Sequence, residues 1–577
     1  MTAYIDWIDY TVFSALLILS TGIGVYFAFF AKEKQNTTAE YLLGGKTMGI
    51  FPISMSLIAS YISGISVLGL PAEMYVYGTQ YWLIVIPEIL VSFTMAFVYI
   101  PVFYKLQITS SYEYLRLRFN KKVRTLGSCL FIIKMLLYIP IVVYVPALAF
   151  SQVTGINLHL ITPIVCTVCI FYTSLGGLKA VVWTDTVQVM MMLAAIGIVM
   201  VIGVLNVGGL SEVLKRNLES GRIEFDVFDP DPRVRHSVWG VVIGNYFYWL
   251  ASCSVNQMMV QRCLAMPTRT KANMTIANLA IGIIILVAMC CFTGLVVFAY
   301  YYHCDPLLSK KIEKSDQILP YFVMEVGSSV PGLPGLFVSG VFSAALSTMS
   351  TGLNSLTGVI FQDLIKPVLK RDLSEATSSC IMKVIAASIG VLCVALVFLV
   401  EKLGALIQAG KSLGGITAGP LLGLFSLGMF FPWANAQGAL IGGISGVLVT
   451  GCLSIFSQLA IAKGLIRYQT KPFSIEGCDP PTNLTFSYPP SNSESVAWVL
   501  QLSYMWYTLI GVTTVISVGM VVSYFTGFNS AAEVNKDLLT PVIYRYLPQK
   551  KREKQCLKNI ISKETEPPEV QRKEKPS

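Results

Sequence analysis

Apolar runs of about twenty residues recur along the whole chain, separated by short polar breaks. YTVFSALLILSTGIGVYFAFF (10–30) and MMMLAAIGIVMVIGVLNVGG (190–209) are examples. Each is long enough for one helix to cross roughly 30 Å of hydrocarbon. In lipid the backbone must satisfy its own hydrogen bonds, which favours helices over open sheet. The pattern predicts about thirteen transmembrane helices, centred near Ile18, Ser63, Leu90, Leu137, Val165, Ala194, Tyr248, Leu286, Leu346, Val391, Leu421, Val447 and Val512.

The connections supply an orientation, because lysine and arginine collect on the cytoplasmic side. Lys32, Lys34 and Lys46 follow the first segment, and Arg116, Arg118, Lys121, Lys122 and Arg124 the third. Lys179 follows the fifth, Arg262, Arg269 and Lys271 the seventh, and Lys366, Lys370, Arg371 and Lys383 the ninth. These connections all fall on one side, which places the N-terminus outside and the basic tail KKREKQCLKNIISK inside. Setting aside the first and last two segments leaves ten, two groups of five. Five is odd, so the second group crosses in the opposite sense, as in the inverted repeats of secondary transporters. The expected organisation is an N-terminal end, first helix and loop (1–50), a first five-helix repeat (51–208), an outer loop (209–236) and a second repeat (237–431). A twelfth helix (432–457), an outer loop (458–499), a last helix (500–527) and a cytoplasmic tail (528–577) complete it.

Composition agrees: 54% of the 577 residues are hydrophobic and 13% charged, against about a quarter charged in soluble domains. MTAYIDWIDY carries neither a basic region nor a small-residue cleavage pattern, so no cleavable signal is expected. The thirteen cysteines form no zinc or disulfide framework. The CxxC of Cys166 and Cys169 reads as two small buried residues one helical turn apart. Cys304 and Cys478, both in outer loops, are a candidate disulfide. Of the sequons at Asn36, Asn273 and Asn483, only Asn483 falls outside, so it is the expected glycosylation site.

Two segments at corresponding positions of the halves look breakable. SMSLIASYISGISVLGLPAEMY crowds Ser60, Ser63, Gly64, Ser66, Gly69 and Pro71 at its centre. WGVVIGNYFYWLASCSVNQMMVQR carries Gly240, Gly244, Asn245, Ser252, Ser254, Asn256 and Gln257. Small residues alone would serve close helix packing, but a matched pair of interrupted helices points to a binding site near the midplane. The ninth segment has a polar face, with Ser343, Ser347, Ser350 and Asn354 at helical intervals. Hydroxyls and freed carbonyls are hard, neutral ligands suited to a monovalent cation.

Four ordered motifs carry a resemblance: SLGGLKAVVWTDTVQ (174–188), VNQMMVQRCLA (255–265), FSAALSTMSTGLNS (342–355) and GPLLGLFSLGMFFPWAN (419–435). They resemble the sodium/solute symporter family along nearly the whole spanning region. The resemblance implies an all-α, leucine-transporter-like sodium symporter with a 5+5 inverted-repeat core. Its common sodium site maps onto the carbonyls of Ala59 and Ile62, the carbonyl of Ala344, and the hydroxyls of Ser347 and Thr348. Asp185 matches an acidic residue of the sodium path, though capping of the sixth helix is an equally open reading. Together with GLPAEMYVYGTQYW (69–82), the motifs are most similar to the branch of multivitamin, monocarboxylate and iodide carriers. Ser66 stands where the iodide carrier has glutamine, and the sugar carriers' hydrogen-bonding set is not recognisable around Tyr61 and Ser66.

Sodium coupling suits an anionic cargo. An anion entering a cell at about −100 mV is opposed by roughly 2.3 kcal/mol. One sodium ion gains about that much, plus roughly 1.4 kcal/mol from a tenfold gradient.

Glu88, Lys134 and Lys411 put charges inside apolar segments, each at a cost of roughly 2.5 to 3.5 kcal/mol near a helix centre. Lys411, in LIQAGKSLGG, lies about 12 Å down its helix if that helix starts near Leu403, too deep for easy snorkelling. It either pairs with Glu88 or faces the cavity and draws in a substrate carboxylate, with Gln408 as a nearby donor. The expected substrate-contacting set is Tyr61, Ser66, Asn256, Gln257, Gln408 and Lys411.

The sequence therefore reads as a multi-pass plasma-membrane carrier, not an enzyme, that imports a small organic anion with sodium by alternating access. A carboxylate vitamin such as biotin or pantothenate, or a monocarboxylate, is the expected cargo. Sodium is the co-transported ion, no organic cofactor is expected, and the partners are substrate, sodium and bilayer, without nucleic acid. The alternatives are a carrier of a neutral solute such as a sugar or inositol, and a sodium-gated sensor or leak on the same fold.

Overall fold

A computed structural model describes residues 6–31, 37–327, 330–369, 373–400, 406–478 and 496–547, excepting the side chains of 152–153, 399–400 and 406–413. Among the described residues every regular element is helical. The main helices are α1 (Trp7–Val25), α2 (Ile50–Tyr61), α3 (Gly64–Tyr77), α4 (Val85–Thr94), α5 (Lys121–Thr154), α6 (Leu158–Val207) and α7 (Asn245–Cys253). They continue with α8 (Gln257–Leu264), α9 (Arg269–Tyr300), α10 (Leu333–Val359), α11 (Glu375–Val400), α12 (Leu406–Phe430), α13 (Ala436–Ala462) and α14 (Tyr507–Phe525).

Nine of the described helical segments are long and apolar enough to cross a membrane, and a tenth candidate is the bent pair Thr38–Lys46 and Ile50–Tyr61. The fifth and sixth expected segments share the 50-residue α6, which kinks at Gly177 (φ 55°, ψ −154°). Only a residue without a Cβ holds that backbone comfortably. The second and seventh segments are the two broken ones, α2/α3 and α7/α8.

Polar side chains start the helices where the apolar pattern begins. Asn120, Asn157, Thr268 and Asn435 accept backbone amides at the starts of α5, α6, α9 and α13. Each satisfies one of the amides that a helix start leaves without a partner. Asp9 of α1 is buried and accepts the Gly335 amide at 2.8 Å, fixing α1 against the first turn of α10.

α10 is the central helix and is buried along nearly its whole length. Its broadest contact is with α6. Gly340 lets the two backbones close up, since a Cβ there would stand 2.6 Å from that of Ala195. A helix buried all round and rich in hydroxyls has its polarity aimed at protein, not lipid. α2, α3 and α5 pack on other faces of α10, so the break in α2/α3 lies beside the hydroxyl stripe.

Candidate functional site

The break in the first interrupted helix is two residues long. α2 ends with the Ile62 amide on the Ile58 carbonyl at 3.1 Å. Ile62 and Ser63 are then extended (ψ 112° and 169°), and α3 begins when Ser66 and Val67 donate to the Ser63 carbonyl. The Ala59 carbonyl is therefore the first beyond the last closed turn, and that of Ile62 lies inside the break. These are the two backbone oxygens expected to meet sodium.

Across from them, α10 presents Ala344, Ser347 and Thr348, all buried. Thr348 donates to the Ala344 carbonyl at 3.0 Å, the hydroxyl of Ser347 faces the Asp185 carboxylate, and that of Ser343 has no partner among the described residues. Ser60 and Thr351 bridge α2 to α10 at 3.0 Å.

Asp185, on the half of α6 after the kink, is fully buried and stands beside Ser347. One carboxylate oxygen accepts from Ser56 Oγ at 2.5 Å and from Arg262 Nη2 at 3.1 Å, and the other has no partner among the described residues. Buried polar atoms are nearly always bonded. A buried serine hydroxyl facing a carboxylate, with freed carbonyls on the neighbouring broken helix, is the kind of oxygen set that suits a small hard cation.

Arg262 corrects the sequence reading, which counted it among the basic residues of a cytoplasmic connection. It is 1% exposed. It sits on α8, beyond the second break, donating to Asp185, to Ser56 Oγ at 2.6 Å, to the Met258 carbonyl at 3.0 Å and to Thr351. One guanidinium thus joins α2, α6, α8 and α10. Arg124, also read as a loop residue, is buried in a pair with Asp363.

Tyr61 and Ser66 line a small cavity of about 60 Å³ at the first break, with Glu88, Tyr138, Tyr248 and Trp249. Tyr61 donates to Glu88 Oε1 at 2.8 Å and stacks on Trp249 with ring centroids 4.1 Å apart. Trp249 Nε1 is a buried donor with no partner among the described residues. Asn256 and Gln257 are outside this cavity. Asn256 caps α8 through the Met258 amide at 3.1 Å, and Gln257 holds the turn before α5 by the Ser111 amide at 2.7 Å and the Thr109 carbonyl at 2.9 Å. Both solve backbone problems that chain breaks create.

Gln408 and Lys411 belong to α12, but their side chains lie outside the described residues, and with them the pairing of Glu88 to Lys411. Lys134 is half-buried on α5, one turn before Tyr138. Cys304 and Cys478 form a disulfide with Cα atoms 4.9 Å apart. Asn483 lies outside the described residues.

Buried charges, two broken helices, a buried hydroxyl-rich helix packed against the first of them and an aromatic cavity at its break define a secondary transporter. The chain belongs to the sodium:solute symporter family, whose pattern matches residues 41–446, and it is a multi-pass membrane carrier that uses sodium. It is 39% identical over 538 residues to the sodium-coupled monocarboxylate transporter 2 of Mus musculus (92% of this chain, 86% of that one). It is 40% identical over 555 residues to the sodium-coupled monocarboxylate transporter 1 of Xenopus laevis (93% and 89%). It is 39% identical over 556 residues to the sodium-dependent multivitamin transporter of Oryctolagus cuniculus (95% and 87%). Its fold is similar to the substrate-bound, outward-open structure of a Na+-coupled sialic acid symporter, with a TM-score of 0.74 at 24% identity, covering 91% of this chain and 99% of that one.

Proposed function

We propose that the chain is a plasma-membrane symporter that couples sodium entry to the uptake of a small organic anion, a monocarboxylate or carboxylate vitamin. The observation that carries it is the buried cluster of Ser347 and Asp185, a hydroxyl and a carboxylate facing each other on α10 and α6 within reach of the broken helix that Ser56 ties to the same carboxylate. Ala59, Ile62, Ala344, Ser347 and Thr348 hold sodium, and Asp185 lies on its path to the cytoplasm. The aromatic cavity takes the substrate. Relatives named for monocarboxylates and for vitamins are about equally similar to this chain, and the shared feature of those cargoes is a carboxylate. Trp249 Nε1 supplies a donor for it that has no partner among the described residues.

In this reading the N-terminus is extracellular and the tail cytoplasmic, with thirteen helices in a 5+5 inverted-repeat core at 51–208 and 237–431, and Asn483 glycosylated. Lys411 either offsets Glu88 or meets the substrate. Carboxylate uptake lost in Lys411→Gln and restored with Glu88→Gln identifies the structural pair; loss in both identifies substrate contact.

The test is uptake of labelled lactate, pantothenate, biotin and glucose into cells expressing the chain, in sodium and in choline medium. Sodium-dependent accumulation of a carboxylate is expected. Glucose uptake alone would transfer the site to a neutral solute, and substrate-gated current without accumulation would identify a leak.

A further inference from the structure

A second cavity, of about 740 Å³, lies between residues 220–236 and 466–472, on the outer side in the orientation proposed above. It is separated from the central cavity by one layer of side chains. Tyr77 and Gln80 line the outer chamber and Tyr81 the inner one. The ring of His236, on the outer wall, is centred 5.1 Å from that of Tyr81. Glu73 joins this layer to both neighbours, 2.7 Å from Arg235 and 3.0 Å from His236.

The chamber wall is biased toward cations. Arg233, Arg235, Arg467 and Lys471 line it against Glu224 and Asp231. Arg233 is paired with Asp231 at 2.6 Å, Lys471 with Glu224 at 2.5 Å, and Arg235 with Glu73. Arg467 is the surplus charge: it donates only to the Gly464 carbonyl, at 3.2 Å, and has no ion pair among the described residues. Gln80 adds an independent sign. It is 2% exposed, its Oε1 accepts the Val227 amide at 3.3 Å, and its Nε2 donor has no partner among the described residues. A buried donor left unmade costs about 1 to 3 kcal/mol, and an acceptor arriving from the chamber relieves that cost.

We propose that this chamber is an outer capture site for carboxylate anions, with the Gln80 amide as buried donor and the Arg467 guanidinium as the attracting charge. It deepens the organic-anion reading, on which its link to transport rests. Clefts with one sign of charge raise the local concentration of the opposite ion. The site feeds the central cavity when the Tyr81–His236 layer opens, and it holds anions too bulky to follow.

Benzene-1,3,5-tricarboxylate is such an anion, and its binding to the purified full-length chain in sodium-free choline buffer is the direct test. Binding in the micromolar to millimolar range is expected, weakening at least tenfold in Gln80→Glu, which keeps the acceptor for Val227 and replaces the donor by a charge, and severalfold in Arg467→Gln. Both variants should also raise KM for a transported carboxylate, with maximal rate and sodium dependence unchanged. No binding, or binding equal in all three proteins, overturns the capture site. Binding without any carboxylate uptake by the natural chain keeps the capture site and overturns the organic-anion reading instead.

Discussion

Arg262 and Asp185 meet at 3.1 Å in a fully buried ion pair between α8 and α6. Breaking such a pair by removing one partner costs about 3 to 5 kcal/mol, because the other charge is left uncompensated. Asp185→Asn and Arg262→Gln should each lower the thermal midpoint and surface abundance sharply. The double variant should recover most of the stability, because no charge is stranded, without recovering sodium-driven uptake. Thermal unfolding of the three purified proteins, with uptake in parallel, checks this; a double variant as unstable as the singles would show that the pair is not a unit.

The hydroxyls of α10 are expected to act on sodium alone. Ser347→Ala and Thr348→Val should each raise the sodium concentration for half-maximal uptake about fivefold to tenfold, equivalent to roughly 1 to 1.4 kcal/mol for one lost ligand. KM for the organic substrate at saturating sodium should stay within about twofold. Sodium titrations of uptake read both quantities.

Trp249→Phe separates packing from hydrogen bonding. The ring still stacks on Tyr61, but the Nε1 donor is gone. Carboxylate KM should rise by about tenfold to 150-fold, matching roughly 1.5 to 3 kcal/mol for one hydrogen bond to a charged group, with little change in thermal midpoint. An unchanged KM would remove Trp249 from the substrate's contacts.

The Cys304–Cys478 bond joins segments 174 residues apart. Next to it, the Asp305 amide donates to the Ser474 carbonyl at 2.9 Å and the Gly477 amide to the His303 carbonyl at 2.9 Å. Replacing both cysteines by serine should lower stability by about 2 to 5 kcal/mol in the loop-entropy picture. A fall in thermal midpoint, reproduced in the natural chain by reductant, is the expected result.

The first break was legible because serine and glycine crowd Ser60 to Gly69, and an apolar helix has no other use for so many breakers at its centre. The hydroxyl stripe of α10 was legible for the same reason, since polarity at helical spacing within an apolar run has to face inward. Arg262 was not. Once the helix breaks at Ser254, VNQMMVQR reads as a polar loop, and nothing in periodicity links an arginine to an aspartate 77 residues earlier. Asn256 and Gln257 mark the break, but their spacing does not separate capping and loop-holding from substrate contact. Trp249 and Gln80 carry no signal of their own, because an unmet donor is a property of surroundings that only the folded chain assembles.

The four-way grip of Arg262 also shapes the timing of the transport cycle. A guanidinium cannot release one helix without straining its bonds to the other three, so separation at this end has no stable halfway point. If sodium leaves only when these helices part, as the proposed path past Asp185 requires, its departure and their separation share one activation barrier. In voltage-jump recordings without substrate, the charge carried by sodium should relax with a single time constant instead of a staircase of partial movements.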